Sequence, residues 1–326
     1  MEDKNRDNNA HWNEYWAQGH KTSFGSAFSG GYEGVIKTTW ERYFSNLKAH
    51  ERVLDLCTGN ASLLRIASDC LPCDNKVSFT GVDYAEIEIK NVFSNLDEVN
   101  LAFNINIENL PFESKSFDHV ISNFGIEYSD LNKSISEAAR VLADGGKLEL
   151  VCHCHDSHII KSNSAELSML KVMLSKDNVI DKLEGLVNAL AIRAENQSQS
   201  SSEEISHFQA ASKDAEKFRH DLNDKIAFVD NSYSKAFHDS EFLSFLKYLL
   251  NRTTKDKKAA LALFKSAMQS HKLRLSAMVD SALTKQQLVS INEMFKVHGL
   301  SFLSLEDVLN EESKIACKIS AKKLIK

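Results

Sequence analysis

Proline is almost missing from the 326 residues: Pro72 and Pro111 are the only two, and both lie in the first half. Glycine is as unevenly spread, with only Gly185 and Gly299 after residue 146. A stretch from 156 to 298 with so few breakers is expected to form long helices, whereas residues 1–155 carry the turns that short strands and helices need. No run of 18 apolar residues occurs, so no transmembrane helix is expected. The opening MEDKNRDNNAHW has no apolar core, so no secretory signal and no membrane partner are expected. Six cysteines in a chain of this length are too few for a disulfide scaffold and fit a reducing, cytoplasmic setting. Cys70 and Cys73 form a CxxC pair without a second one, which reads as a turn after a helix with Pro72 setting it, and no metal site is expected. The net charge of −6 argues against a broad nucleic-acid surface. What remains is an ordinary globular composition, 43% hydrophobic and 26% charged, long enough for two domains or one domain with a large insertion.

The first half alternates strands and helices. Residues 52–56, 77–82, 101–107, 117–122 and 147–152 read as five short apolar strands. Residues 61–70 and 133–142 read as helices, the second with Ile135, Ala138, Ala139 and Leu142 on one stripe, and Asp144 to Gly146 reads as a turn. Such alternation predicts a mostly parallel, doubly wound sheet whose ligands sit at the carboxyl ends of the strands.

Two of those strand ends carry acids. The segment VLDLCTGNA (Val53 to Ala61) runs from a strand through a tight turn into a helix, with Gly59 allowing close backbone approach and Asp55 offering a carboxylate to a cationic amine. The next strand ends in GVDY, where Asp83 can accept hydrogen bonds from both hydroxyls of a ribose. A nicotinamide site would need GxGxxG, but those positions hold Cys57, Gly59 and Ser62. A pyrophosphate requires that glycine-rich approach; a sulfonium nucleoside with an amino-acid tail does not.

VLDLCTGNA, GVDYA, NIENLPFESKSFDHVISNFGIEY and EAARVLADGGKLELV occur in that order, and together they resemble the class I S-adenosylmethionine-dependent methyltransferases, nearest the group that methylates small molecules and quinone-type rings. The resemblance covers about residues 50–153 and again the C-terminus. It implies S-adenosyl-L-methionine as cofactor, with Asp55, Cys57, Gly59 and Asn60 around its methionine part and Asp83 on the ribose hydroxyls. Tyr84 and Ile107 would lie beside the adenine, Asn106 would bond its amino group, and Asn123 and Phe124 would flank the methyl donor. Cys57 and Ala61 depart from the family, standing where its first motif usually has glycine. The aromatic N-terminus, with Tyr15 and Trp16 and then Phe24, Phe28 and Tyr32, reads either as the packing of a surface helix or, as the resemblance implies, as a helical cover whose Tyr15 and Trp16 close on the methionine end.

The family sheet ends with a helix and an antiparallel pair of strands, which residues 286–297, 300–309 and 314–321 match. The expected architecture is therefore a seven-stranded, Rossmann-like α/β sheet with a large helical insertion between strands 5 and 6. Its divisions would be an N-terminal cover (1–48), a cofactor-binding core (49–155), the insertion or lid (156–284) and a C-terminal part completing the sheet (285–326). In the insertion, Val179, Ile180, Leu183, Leu186, Val187 and Leu190 follow helical spacing, as do Ile205, Phe208, Ala211, Ala215, Phe218, Leu222 and Ile226. The polar run 196–202 reads as a loop between them, and eight Lys and Arg between 247 and 274 face only Asp256, which reads as a solvated face or one for an anionic partner.

After the fifth strand comes CHCHDSH (Cys152 to His158). Strand alternation would place His153 and His155 on one side and Cys152 and Cys154 on the other, which disfavours a metal site. His155 first and His153 second are the candidate general bases. The resemblance implies direct methyl displacement to a small-molecule acceptor. Two other readings stay open: a protein acceptor gripped by the insertion, or a cofactor-binding scaffold without turnover. A homodimer or protein contact through the insertion also stays open.

Overall fold

The structure, a computed structural model, describes residues 10–22, 31–72, 74, 76–89, 96, 98–198, 201–251 and 253–325. Phe24, Phe28, Cys73, Arg252 and residues 199–200 of the polar run lie outside the described residues. The chain divides into two compact units, residues 1–161 with 277–326, and residues 162–276.

The first unit holds a seven-stranded sheet. Its strands are β1 (Arg52–Leu56), β2 (Ser78–Val82), β3 (Glu98–Ala102), β4 (Phe117–Asn123), β5 (Leu142–Cys152), β6 (Leu300–Asn310) and β7 (Ser313–Lys323). The order is β3-β2-β1-β4-β5-β7-β6, with β1 to β5 parallel and β7 antiparallel to both β5 and β6. The order turns back on itself between β1 and β4, and a parallel sheet opens a crevice for ligands at that switch point.

Strand alternation serves two cores. Leu54, Leu56, Val120, Leu148 and Leu150 face one side, where they meet Ile135, Ala138, Ile291 and Phe295. Val53, Phe79, Ile121 and Val151 face the other, against Ile36, Trp40, Phe44, Leu64 and Ala67. The helices of this unit are α1 (Ala10–Ala17), α2 (Gly34–Phe44), α3 (Ser62–Cys70) and α4 (Leu131–Val141), with Lys285–Val297 preceding β6. A parallel strand buried on both faces needs apolar residues at nearly every position, which is why RVLDL and FDHVISN read as short continuous runs rather than strict alternations.

Two boundaries differ from the sequence reading. The third strand lies at Glu98–Ala102, not 101–107. Its alternating Leu101, Phe103, Ile105 and Ile107 mimic a longer strand, but β2 ends at Val82 opposite Ala102 and leaves no partner beyond. Asn104 turns left-handed (φ +59°), and the Ile105 N–H then donates to the Asp83 carbonyl at 3.0 Å. The fifth strand starts at Leu142 rather than Lys147, since the Asp144–Gly146 turn is an irregularity within it, where the register against β4 shifts.

The insertion is helical: α5 (His158–Met173), α6 (Val179–Glu195), α7 (Ser202–Asp239), α8 (Phe242–Leu250) and α9 (Thr254–Ser281), with α10 (Lys285–Val297) following. No strand lies among the described residues of 158–281. A Ser201–Glu204 capping box starts α7, and backbone geometry leaves the helical region at Tyr233 within it. Inside the second unit, α6 and α7 pack through Gly185 against Phe218, with Lys182 bridging to Asp221 at 3.5 Å. A Cβ on Gly185 would stand 2.4 Å from the Phe218 ring.

Gly185→Ala gains about 1 kcal/mol of helix propensity. It must also displace a packed aromatic ring, at about 1–3 kcal/mol. Chemical denaturation is expected to show a net loss of about 1 kcal/mol, and a stabilised Gly185→Ala protein would refute the close approach.

Candidate active site

The carboxyl ends of β1, β2 and β4 bring together the residues expected of a cofactor site. After β1 the chain runs Cys57-Thr-Gly-Asn-Ala61 into α3, and Cys57, Gly59 and Ala61 all adopt left-handed φ, +58°, +51° and +58°. Only glycine takes that conformation without cost, so the two departures from the family motif keep a glycine-like loop while carrying about 1 kcal/mol of strain each. The loop is pinned where it turns: the Thr58 N–H donates to the Val82 carbonyl at 2.9 Å, and the Gly59 N–H to Asp83 Oδ2 at 2.8 Å.

Asp55 is buried at the end of β1 and accepts from the Thr58 hydroxyl at 2.7 Å. Desolvation pushes its pKa up to about 7; the Thr58 bond opposes the rise and the charge of Asp83 adds to it. Asp83 is also buried, and its pKa is raised to about 6 by desolvation against the pull of backbone N–H donors at Ala85, Gly59 and Tyr84. The Ala85 N–H reaches Asp83 Oδ1 at 2.8 Å. Asp55 lines the crevice and Asp83 lies beside it, bound to the Gly59 N–H, and a cationic ligand would favour the charged form of both.

The cleft is lined by Trp16, Lys21, Tyr32, Asp55, Cys57, Thr58, Ser62, Leu63, Asn123 and Phe124. Asn123, at the end of β4, accepts from the Trp40 indole N–H at 2.8 Å, while its buried Nδ2 has no hydrogen-bond partner among the described residues. Phe124 follows in a left-handed conformation (φ +54°), a strained state for a bulky residue. Gly125 is required next to it, since a Cβ there would lie 2.4 Å from that of Cys57.

Other expected site residues fall in different places. Asn60 turns to the N-terminal segment, its Nδ2 donating to the His20 carbonyl at 2.6 Å. Tyr84 is half-buried beside Asp83. Asn106 is exposed and closes its own turn by accepting the Glu108 N–H at 2.9 Å, and Ile107 is buried in the core beneath. Tyr15 is buried with its hydroxyl on the Thr22 carbonyl at 2.6 Å; its neighbour Trp16 is the one that lines the cleft, lying over Gly59. Ser62 holds the Lys21 carbonyl.

The histidines differ in burial although the backbone between them still pairs, through Cys154, with Leu283. Neither lines the cleft: His153 is buried and stacks on the cleft residue Phe124 with ring centroids 4.5 Å apart, whereas His155 is exposed. Glu127, unremarked in the sequence, is buried below them. It accepts the His153 backbone N–H at 2.7 Å, and desolvation raises its pKa to about 7. Trp16 lines the cleft as the N-terminal cover implied, and Thr58 belongs to the first motif, whereas Lys21 and Glu127 were not legible as site residues. Among the described residues, no three His, Cys, Asp or Glu side chains form a metal-ligating group.

A methyltransferase domain family profile matches residues 54–150. Over 124 residues the chain is 32% identical to the ubiquinone/menaquinone biosynthesis C-methyltransferase UbiE of Rickettsia felis, covering 36% of this chain and 49% of that protein. The corresponding protein of Rickettsia massiliae is 32% identical over the same length. The chain thus spans about half the length of the curated relatives it matches. Among solved structures, the carbon methyltransferase CurJ aligns with 89% of this chain and 54% of its own at 10% identity and a TM-score of 0.39. Geranyl diphosphate C-methyltransferase from Streptomyces coelicolor A3(2) aligns with 36% of this chain and 46% of its own at 18% identity and a TM-score of 0.30. Likenesses that distant say nothing of this chain's substrate. Residues 54–150 thus resemble a methyltransferase domain of the S-adenosylmethionine-dependent class I type.

An acid with a folded pKa above its unfolded one keeps its proton longer in the native state. Stability is then full below about pH 4 and falls as pH rises to the folded value. Asp55 should therefore remove about 2–3 kcal/mol of stability between pH 5 and 8, at about 1.4 kcal/mol for each pH unit below its pKa of about 7. Urea unfolding across that range is expected to show a flatter profile for Asp55→Asn. Equal slopes in the two proteins would remove Asp55 as the cause.

Proposed function

We propose that the chain transfers the methyl group of S-adenosylmethionine to a small-molecule acceptor by direct displacement. One observation carries this reading: Asp55, Asp83 and Asn123 converge on the left-handed loop 57–61 at the switch point of a sheet whose residues 54–150 match a methyltransferase domain.

The residues present fit that cofactor. Asn123 Nδ2 is a buried donor in the cleft without a partner among the described residues, and Asp55 is a buried carboxyl that a cationic amine would ionise. Asp55 with Gly59 and Asn60 would hold the methionine end, Asp83 the ribose hydroxyls, and the Tyr84, Asn106 and Ile107 region the adenine. When bound, the cofactor supplies a methyl group already activated by a sulfonium. The chain's own work is alignment and exclusion of water. Phe124 and Asn123 would flank the reacting centre, and Trp16 would close the N-terminal side over Gly59. Of the two candidate bases, His153 has the better position, stacked on a residue of the cleft with Glu127 bound to its backbone. The C-methyltransferase relatives support a small acceptor, with carbon among the atoms it presents.

Calorimetry on the full chain tests the first step. S-adenosylmethionine or its demethylated product should bind, more tightly as pH rises through 6 to 7 and the two carboxyls ionise. Asp83→Ala should weaken binding by about 1–3 kcal/mol, the cost of leaving buried hydroxyls without a charged acceptor. Binding of NADH with neither sulfur nucleoside bound would end this reading.

His153→Ala tests the base. Where the acceptor must lose a proton, turnover is expected to fall by about 10²–10⁴-fold with cofactor affinity unchanged, while His155→Ala stays near wild type. Full activity in His153→Ala would return proton removal to the acceptor itself or to water.

A further inference from the structure

The second unit carries a surface that the cofactor site does not explain. Helix α8 has the sequence FLSFLKYLL, too apolar for a short surface helix. One stripe anchors it: Phe242 and Leu249 are buried, and Phe245 stacks on Phe264 of α9 with centroids 3.7 Å apart. The other stripe, Leu243, Lys247 and Leu250 at helical i, i+4 and i+7 spacing, faces solvent. Leu250 is 67% exposed, and Tyr248 beside it 46%. After three intervening residues the chain enters α9, where Lys257 and Lys258 follow within its first two turns. Lys247, Lys257 and Lys258 enter no ion pair among the described residues, whereas Lys265 farther along α9 is paired with Glu184 at 2.7 Å. The segment 247–274 has eight Lys and Arg against Asp256 alone, within a chain of net charge −6.

We propose that this α8–α9 tip is a docking surface for an anionic lipid bilayer. Two leucines bracketing a lysine suit a bilayer surface. The leucines enter the acyl boundary, and the lysine lays its apolar stem along them while its ammonium stays among the headgroup phosphates. A half-exposed tyrosine sits well at that depth. Each lysine near an anionic surface strengthens the contact about fivefold. The contact is peripheral, since no helix among the described residues is long and apolar enough to cross a membrane. A second copy of the chain is a poorer occupant, because a symmetric contact over this stripe would oppose Lys247 to its own mate. Nucleic acid is poorer too, because the exposed side chains between the lysines are aliphatic and offer bases little to stack on. The proposal is independent of the reaction the first unit performs.

Co-sedimentation of the full chain with vesicles tests it, comparing equal parts phosphatidylglycerol and phosphatidylcholine with phosphatidylcholine alone. The partition coefficient should be at least about tenfold higher on the anionic vesicles and should fall with added salt. Lys247→Glu with Lys258→Glu, and separately Leu243→Ser with Leu250→Ser, should each lower it at least about tenfold. All four side chains are exposed, so circular dichroism should show the fold unchanged. Equal partition on both vesicle types, or partition insensitive to both pairs of substitutions, would overturn the proposal. So would a Leu250-dependent dimer, or RNA binding, in a protein that leaves anionic vesicles unbound.

Discussion

A single carboxylate ties the loop after β1 to the sheet. Asp83 receives the Gly59 N–H on one oxygen and the Ala85 N–H on the other, both at 2.8 Å, from a position buried at the end of β2. Charge-assisted bonds of this kind are the strong ones, and burial makes leaving either donor unmet costly. Through them the turn after β1 is held against the end of β2, and the backbone carbonyl of the same Asp83 draws in the loop after β3. Three strand ends thus share one anchor. The anchor is incompletely ionised at neutral pH, with a pKa near 6, so a ligand offering hydroxyls or positive charge would strengthen the group that organises its own site.

That anchor permits an uncommon loop. Cys57 and Ala61 occupy backbone states that glycine takes freely, and the structure compensates for the larger side chain at 57 by placing Gly125 directly against it. The two loops are therefore coupled: the Cβ present at Cys57 forbids one at 125. Phe124, left-handed in its turn, stacks on His153, whose backbone is fastened to the buried Glu127. Strain of this kind survives only where surrounding bonds over-determine it, and here it collects around the cleft.

The second unit is organised by different physics. Its helices are long because nothing in their sequence breaks them, and they pack through a close approach at Gly185 and a few ion pairs. The leucine and lysine stripe of α8 is the face this packing leaves uncovered.

The order of strands and helices in the first unit, the helical character of the insertion and the acids at the ends of β1 and β2 were all legible in the sequence. Each depends on local periodicity or on a turn signal carried by neighbouring residues. The end of β3 was not, because Phe103, Ile105 and Ile107 alternate like a strand and only the length of β2 decides where pairing stops. The burial of the histidines was not legible either: the backbone from His153 to His155 pairs with Leu283, yet the ring stack with Phe124 accompanies a buried His153 while His155 is exposed. Trp16 was expected near the cofactor, but Lys21 reaches the cleft from a position far from its motifs, and Glu127 becomes a buried acid bound to the His153 backbone only in the folded chain. Local sequence determines which backbone groups can pair. Burial, proximity and charge state depend on where distant segments land, and those the tertiary structure alone decided.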